Sequence, residues 1–287
     1  MQGRIVKGIG GFYFVSDGSR VVMGKARGNL KRNKELLYVG DIVDYEITAD
    51  GEAIINGVAR RDNSLIRPPV SNLNLLVVVF AASSPEPNFN VIDKMCIACE
   101  AKGIDIAICI TKPDLVSSEE LDEIRSRYDS AYDVMTVNGM TGAGIDSLRE
   151  RISGRNVALA GPSGVGKSTI LNNIVGAQSA ETGTVSDKTG RGRHTTRHVE
   201  IFELGDGTNL YDTPGFTSLE LPSMEPSELS NLIPEFRACR GQCRYADCVH
   251  MKETGCAVKE AVNEGVIPEG RYGTYLNLME EVKKWRK

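Results

Sequence analysis

Gly161-Pro162-Ser163-Gly164-Val165-Gly166-Lys167-Ser168 has the G-x-x-x-x-G-K-S spacing, which cradles a phosphate. Its glycines let the N–H groups of Ser163, Gly164, Val165 and Gly166 turn toward an anion. Lys167 supplies a point charge for β- and γ-phosphates, and the Ser168 hydroxyl suits Mg²⁺. Thr169 follows in the first turn of the next helix, whose positive end faces the same anion. The apolar segment 156–160 before the loop reads as a buried strand and 167–175 as a helix, the setting that marks a nucleoside triphosphate site.

Two further strings complete such a site. Asp212-Thr213-Pro214-Gly215 follows a strand-like segment ending at Tyr211. There Asp212 can hold Mg²⁺ and the Gly215 N–H can sense the γ-phosphate. Thr111-Lys112-Pro113-Asp114 follows the apolar run 104–110. It resembles the Asn-Lys-x-Asp base motif of translation-factor GTPases, with Thr111 in place of Asn. A carboxylate at Asp114 accepts from both N1–H and the 2-amino group of guanine, and the Lys112 stem can pack along the base. Asn138-Gly139-Met140 stands by position where that class has Ser-Ala-Lys, and the match is poor.

The order of these strings is base motif (111–114), phosphate loop (161–168), then D-x-x-G (212–215). Ordinary GTPases begin with the phosphate loop and end with the base motif. Joining the old termini and opening the chain elsewhere gives this order, so the expectation is a circularly permuted GTPase. Between loop and D-x-x-G lies the polar, basic segment 186–197. Thr195 or Thr196 can ligate Mg²⁺ there, and Thr196 is favoured. Phe216 occupies the place where many GTPases use a Gln to orient water, so His194 is the nearest polar candidate for that catalytic role, with backbone groups or a partner as the alternative.

Cys243, Cys248, His250 and Cys256 form C-x₄-C-x-H-x₅-C, a donor set that closes a tetrahedron around a structural Zn²⁺. Cys239 competes for the first position, and counting back from the Cys-x-His pair favours Cys243. Cys96 and Cys99 make a C-x-x-C whose helical spacing assigns them to a packed face.

These strings need scaffolds. At roughly 100–200 residues per domain, 287 residues make two or three domains. With 41% hydrophobic and 25% charged residues the composition excludes a mainly disordered chain. The longest apolar run, 75–82, falls short of a membrane span, and the opening residues hold no apolar stretch of a secretory signal. Net charge is −4, yet Arg20, Lys25, Arg27, Lys31, Arg32 and Lys34 crowd together without an acid, and the chain closes on Lys283-Lys284-Trp285-Arg286-Lys287. Such stretches fit either solvated loops or local polyanion contacts.

Residues 1–66 hold about five short β-branched and aromatic runs split by Gly and Asp-Gly turns. They read as a small barrel, an OB-fold first and an SH3-like barrel second. Residues 67–222 alternate strand and helix, as a parallel α/β domain with crossover helices does. Residues 223–287 carry the cysteines and two helical stretches. The fold class is therefore multidomain α/β: an N-terminal OB-fold β-barrel, a central circularly permuted P-loop GTPase domain, and a C-terminal helical zinc-binding domain.

The permuted motif order, the β-rich start with Gly3-Arg-Ile-Val-Lys7, Arg67-Pro68, and the cysteine segment with Gly255-Cys-Ala-Val258 together resemble the ribosome-small-subunit-dependent GTPase A (RsgA) family. The resemblance implies a bacterial cytoplasmic GTPase that uses GTP with Mg²⁺ and one structural zinc. It implies binding to the small ribosomal subunit and its 16S rRNA late in assembly, stimulation by that subunit, and release on hydrolysis. A monomer with no membrane association is expected. Gly164 stands where many related GTPases place a K⁺-binding Asn. The competing function is a GTP-dependent switch acting on a protein partner.

Overall fold

The computed structural model of this chain describes residues 1–28, 30, 36–182, 199–213 and 215–284. Lys31, Arg32, Lys34, His194, Thr195, Thr196, Pro214 and the closing 285–287 lie outside the described residues. Two compact units are present. One holds Met1–Leu76, Ile145–Ala160 and Lys167–Phe216; the other holds Val77–Gly144, Gly161–Gly166 and Thr217–Lys287.

In the first unit, β1 (Gln2–Ile9), β2 (Phe12–Ser16), β3 (Val21–Ala26), β4 (Ile42–Ile47) and β5 (Ala53–Val58) form a ring. The order is β1-β2-β3-β5-β4, and β4 returns to β1. Pairing is antiparallel except for the parallel β3–β5 pair, where Gly24 faces Ala53. This five-stranded ring is the expected OB-type barrel. Gly10 (φ 59°) and Gly11 (φ 85°) make the β1–β2 turn, since a two-residue hairpin turn matching the strand twist needs positive φ at both positions. Alternation sends Ile5, Val15, Val43, Tyr45 and Ile55 into a buried core.

Strand β1 has two partners on one side. Its start, Gln2 to Arg4, pairs with β4 and closes the barrel, while Lys7 pairs with Glu200 of the later strand β12 (Glu200–Glu203). Strand β12 is in turn antiparallel to β13 (Asn209–Asp212), which runs parallel to β11 (Asn156–Ala160). The sequence expectation of parallel strands is thus corrected at β12. The link 204–208 closes as a turn, with Leu204 N bonded to Thr208 O (2.7 Å), and is too short for a crossover.

Between barrel and β11, the short strands β6 (Ser64–Leu65) and β7 (Val70–Ser71) pair antiparallel, and the buried Asp41 gathers the chain. Its carboxylate accepts from Arg61 Nε and Nη2 (2.7 Å each), Ser71 Oγ (2.6 Å) and Tyr38 N (2.7 Å). Gly40 (φ 101°) tolerates no side chain, because a Cβ would lie 2.3 Å from Ser71 O and 2.5 Å from the Tyr211 hydroxyl.

In the second unit, β9 (Asp105–Thr111) lies between β10 (Asp133–Val137) and β8 (Leu75–Ala81). Every residue of β8 is buried, as its unbroken apolar run requires. Helices Phe89–Glu100 and Ser118–Ser126 begin at caps that the sequence supplies: Asn88 accepts from Val91 N, and Ser117 forms a capping box with Glu120. The later part holds helices Pro226–Asn231, Ala257–Asn263 and Glu269–Lys284 and the 3₁₀ segment Pro234–Cys239. They share a core of Leu229, Phe236, Val258, Tyr275, Leu278 and Met279 with Ile97 of the helix Phe89–Glu100. Arg271, 2% exposed, bonds Glu235 (Nε–Oε1 2.7 Å) and pairs with Asp93. Cys96 and Cys99 are fully buried, and burial pushes both thiols up, which suits their packing role. Among the described residues no helix is long and apolar enough to cross a membrane.

The β3–β5 closure leaves no room at Gly24, where a Cβ would sit 2.0 Å from Ala53 O. Gly24→Val is expected to open the barrel and cost about 2–3 kcal/mol, read as a lower denaturant midpoint by circular dichroism.

Candidate functional site

The base motif begins where β9 ends. Thr111 is buried, and its hydroxyl donates to Val165 O (2.6 Å), with Phe80 O at 3.2 Å. Lys112 takes a left-handed conformation (φ 53°, ψ 48°), so its side chain turns back. Its Nζ donates to Gly164 O (2.9 Å) and to Ser84 O. Both residues therefore tie the base motif to the phosphate loop, and the shorter Thr111 does so with a close bond. Lys112 clamps that loop in addition to any contact with a base.

Asp114 is the middle residue of a 3₁₀ turn, Pro113–Leu115, and its side chain is exposed. Asn138 Nδ2 donates to Asp114 Oδ1 (2.7 Å), while Asn138 Oδ1 accepts from Met140 N (3.0 Å) and Thr141 N (3.2 Å). The weak sequence match at 138–140 thus hides a contact: Asn138 orients the Asp114 carboxylate. Its amide supplies a donor and an acceptor at once, which a family string of Ser-Ala-Lys does not suggest.

The phosphate loop is anchored rather than packed. Gly161 (φ 151°) passes so near β8 that a Cβ would lie 1.9 Å from Val79 O. Val165 is buried and pins the middle of the loop, while Ser163 and Gly164 are exposed. Gly164 (φ 80°) and Gly166 (φ 98°) supply left-handed turns, leaving backbone N–H groups for an anion. Helix Lys167–Thr182 starts at once, with Ser168 and Thr169 exposed in its first turn. Burial lowers the Lys167 ammonium below its usual range, a cost that a phosphate would offset.

Asp212 is the last residue of β13 and half-buried. Gly215 has φ 74°. Phe216 is 1% exposed, so it anchors the segment in apolar surroundings and orients no water. The hard oxygen donors of Ser168 and Asp212 suit Mg²⁺. His194 and Thr196 have no described position.

The cysteine cluster closes as the sequence implies. The ligand atoms of Cys243, Cys248, His250 and Cys256 all lie within 4.8 Å of one another. His250 Nδ1 stands 3.6, 3.4 and 3.4 Å from the sulfurs of Cys243, Cys248 and Cys256. A tetrahedron with Zn–S of about 2.3 Å and Zn–N of about 2.0–2.1 Å has N–S edges near 3.6 Å, so the donor set fits zinc. His250 takes φ 58° to present Nδ1, its carbonyl accepts from Tyr272 Oη (2.7 Å), and its ring packs edge-on against Phe236. Glu253 organises the loop by accepting from Val249, Met251 and Lys252 N–H groups. Cys239 stays outside the ligand group, buried in the neighbouring core.

The described part of the basic stretch is less free than its composition suggests. Arg20 pairs with Asp17, Lys25 with Glu52, and Arg27 with Glu46 across the barrel surface. Lys25 also sits over the half-exposed Phe12 ring, 4.7 Å from its centroid.

Residues 2–55 match the RsgA N-terminal domain, and residues 58–222 match the RsgA GTPase family. The chain is 41% identical over 284 residues to a small ribosomal subunit biogenesis GTPase RsgA of Clostridium botulinum, covering 98% of this chain and 97% of that protein. It is 41% identical over 302 residues to the protein of the same name from Agathobacter rectalis, covering all of both. Among solved structures, YjeQ from Thermotoga maritima superposes with a TM-score of 0.84 at 32% identity over 98% of each chain. YloQ, described as a circularly permuted GTPase, gives 0.79 at 34% identity over 100% of this chain and 96% of that one. With a family model matched over more than half of its length and relatives 41% identical along nearly all of it, the chain belongs to the RsgA GTPase family.

Proposed function

We propose that this chain hydrolyses GTP as an assembly factor of the small ribosomal subunit, bound to its 16S rRNA, stimulated by the subunit and released on hydrolysis. The family supplies the GTPase activity, and the curated relatives are named for small-subunit biogenesis. The observation that carries the site reading is the pair of bonds from Thr111 and Lys112 to the phosphate loop, which joins base and phosphate recognition despite the permuted order. The division of labour follows the motifs: 1–66 for RNA, 67–222 for nucleotide, 223–287 for zinc, in a cytoplasmic monomer.

In this reading Asp114, oriented by Asn138, accepts from N1–H and the 2-amino group of guanine. Backbone N–H groups of 163–166 and Lys167 hold the β- and γ-phosphates. Ser168, Asp212 and Thr196 hold Mg²⁺, which supplies positive charge against the phosphates. The Gly215 N–H bonds the γ-phosphate, and His194 orients the attacking water.

GTP turnover measured with and without purified 30S subunits tests the function. Slow basal turnover and a marked rise with the subunit are expected. A rise with a protein partner in place of the subunit would favour the binding-switch alternative. Asp114→Asn should weaken GTP binding by an order of magnitude or more and raise affinity for xanthosine triphosphate, whose 2-oxo group needs a donor; competition titrations read both. Equal affinity of the parent for GTP and ATP would remove this assignment. For the metal, elemental analysis should find about one zinc per chain. Cys243→Ser should lower that content, whereas Cys239→Ser should leave it unchanged.

A further inference from the structure

Glu200 stands directly opposite Asp212 in the β12–β13 pair and directly opposite Lys7 in the β1–β12 pair. Residues opposite each other in antiparallel strands project to the same face. Lys7, Glu200 and Asp212 therefore form one row across three strands, reading cation, anion, anion. Lys7 Nζ lies 3.1 Å from Glu200 Oε2, and the glutamate side chain is only 7% exposed. Two carboxylates facing each other on adjacent strands repel. Water screens the buried Glu200 poorly, and Lys7, which comes from the barrel, is a cation that faces it.

We propose that Glu200 is a positioning residue for Asp212 at the Mg²⁺ site, and that Lys7 of the barrel sets how much of the Glu200 charge is felt there. This rests on the reading of Asp212 as a magnesium ligand. Glu200 deepens the negative potential that draws a divalent cation to Asp212, and Lys7 offsets it. The barrel thereby acts on the nucleotide's metal through a salt bridge, without touching the nucleotide.

The test is the Mg²⁺ concentration that half-maximally slows release of a fluorescent GDP analogue, measured on the full chain. Glu200→Gln should raise that concentration about fivefold, and Lys7→Met should lower it by a similar factor, the size expected for one unit charge a few ångströms away in a partly screened site. Lys7→Arg and Glu200→Asp keep the charges and should stay near the parent. A purely structural role would move Lys7→Met and Glu200→Gln in the same direction. Shifts of the same sign, or none, overturn the proposal. Asp212→Asn separates the two layers. If it leaves the Mg²⁺ requirement unchanged, the reading of Asp212 and the proposal both fall. If it raises the requirement while Lys7 and Glu200 variants show no opposed shifts, only the proposal falls.

Discussion

The hydrogen bond from the buried Thr111 hydroxyl to Val165 O is the joint that holds the loop after β9 against the glycine-rich loop. The Thr111–Asp114 string and the phosphate loop sit on separate loops, and the permuted order leaves long stretches of chain between them. Only contacts made after folding can bring them into register. A neutral hydrogen bond contributes about 1 kcal/mol net, so one bond alone would be a weak joint. The Lys112 ammonium adds a charge-assisted bond to Gly164 O, and Val165 buries its side chain beside them. The close approach of Gly161 to Val79 O fixes the other end of the loop. A loop held at both ends keeps its N–H groups aimed outward at no further entropic cost when an anion arrives.

The same logic of joints recurs elsewhere as buried charge. Asp41 collects Arg61, Ser71 and the Tyr38 N–H, pinning the chain that leaves the barrel. Arg271 gathers Asp93 and Glu235, tying the last helix to the helix Phe89–Glu100 and to the 3₁₀ segment ahead of the zinc ligands. Buried ion pairs add little net stability over apolar contacts, but an unpaired member is strongly destabilising. Such clusters therefore select one arrangement of segments distant in sequence.

Much of this was legible in the sequence because it is local. The barrel strands announce themselves by alternation and turn glycines, and the phosphate loop by its spacing. The grouping of Cys243, Cys248, His250 and Cys256 without Cys239 was readable because the four lie close along the chain. What escaped was partnership. Alternation reports which face a strand buries and not which strand lies beside it, so the antiparallel β12 and its pairing with β1 were invisible. The reach of the short Thr111 could not be judged from sequence, because it depends on how near Val165 comes. Asn138 looked like a mismatch because its contact with Asp114 depends on a turn. The basic stretch looked unopposed because Glu46 and Glu52 approach it only across the barrel.

These non-local pairings explain how a barrel can be more than an appended module. A closed barrel presents no free edge to neighbours, yet β1 outlasts its closing partner. Its first residues complete the ring with β4, and its continuation reaches Glu200. Strand β12 follows the polar segment 183–198 in the chain, and β13, beside it, ends in Asp212. Extending the barrel by one strand pairing therefore makes it continuous with the backbone on which D-x-x-G is mounted. Gly40 against the Tyr211 hydroxyl adds a second contact, one residue before Asp212. Strand β13 is thus held from two sides, along β12 and through the Tyr211 hydroxyl, which donates to Ser71 O (3.0 Å) beside the Asp41 cluster.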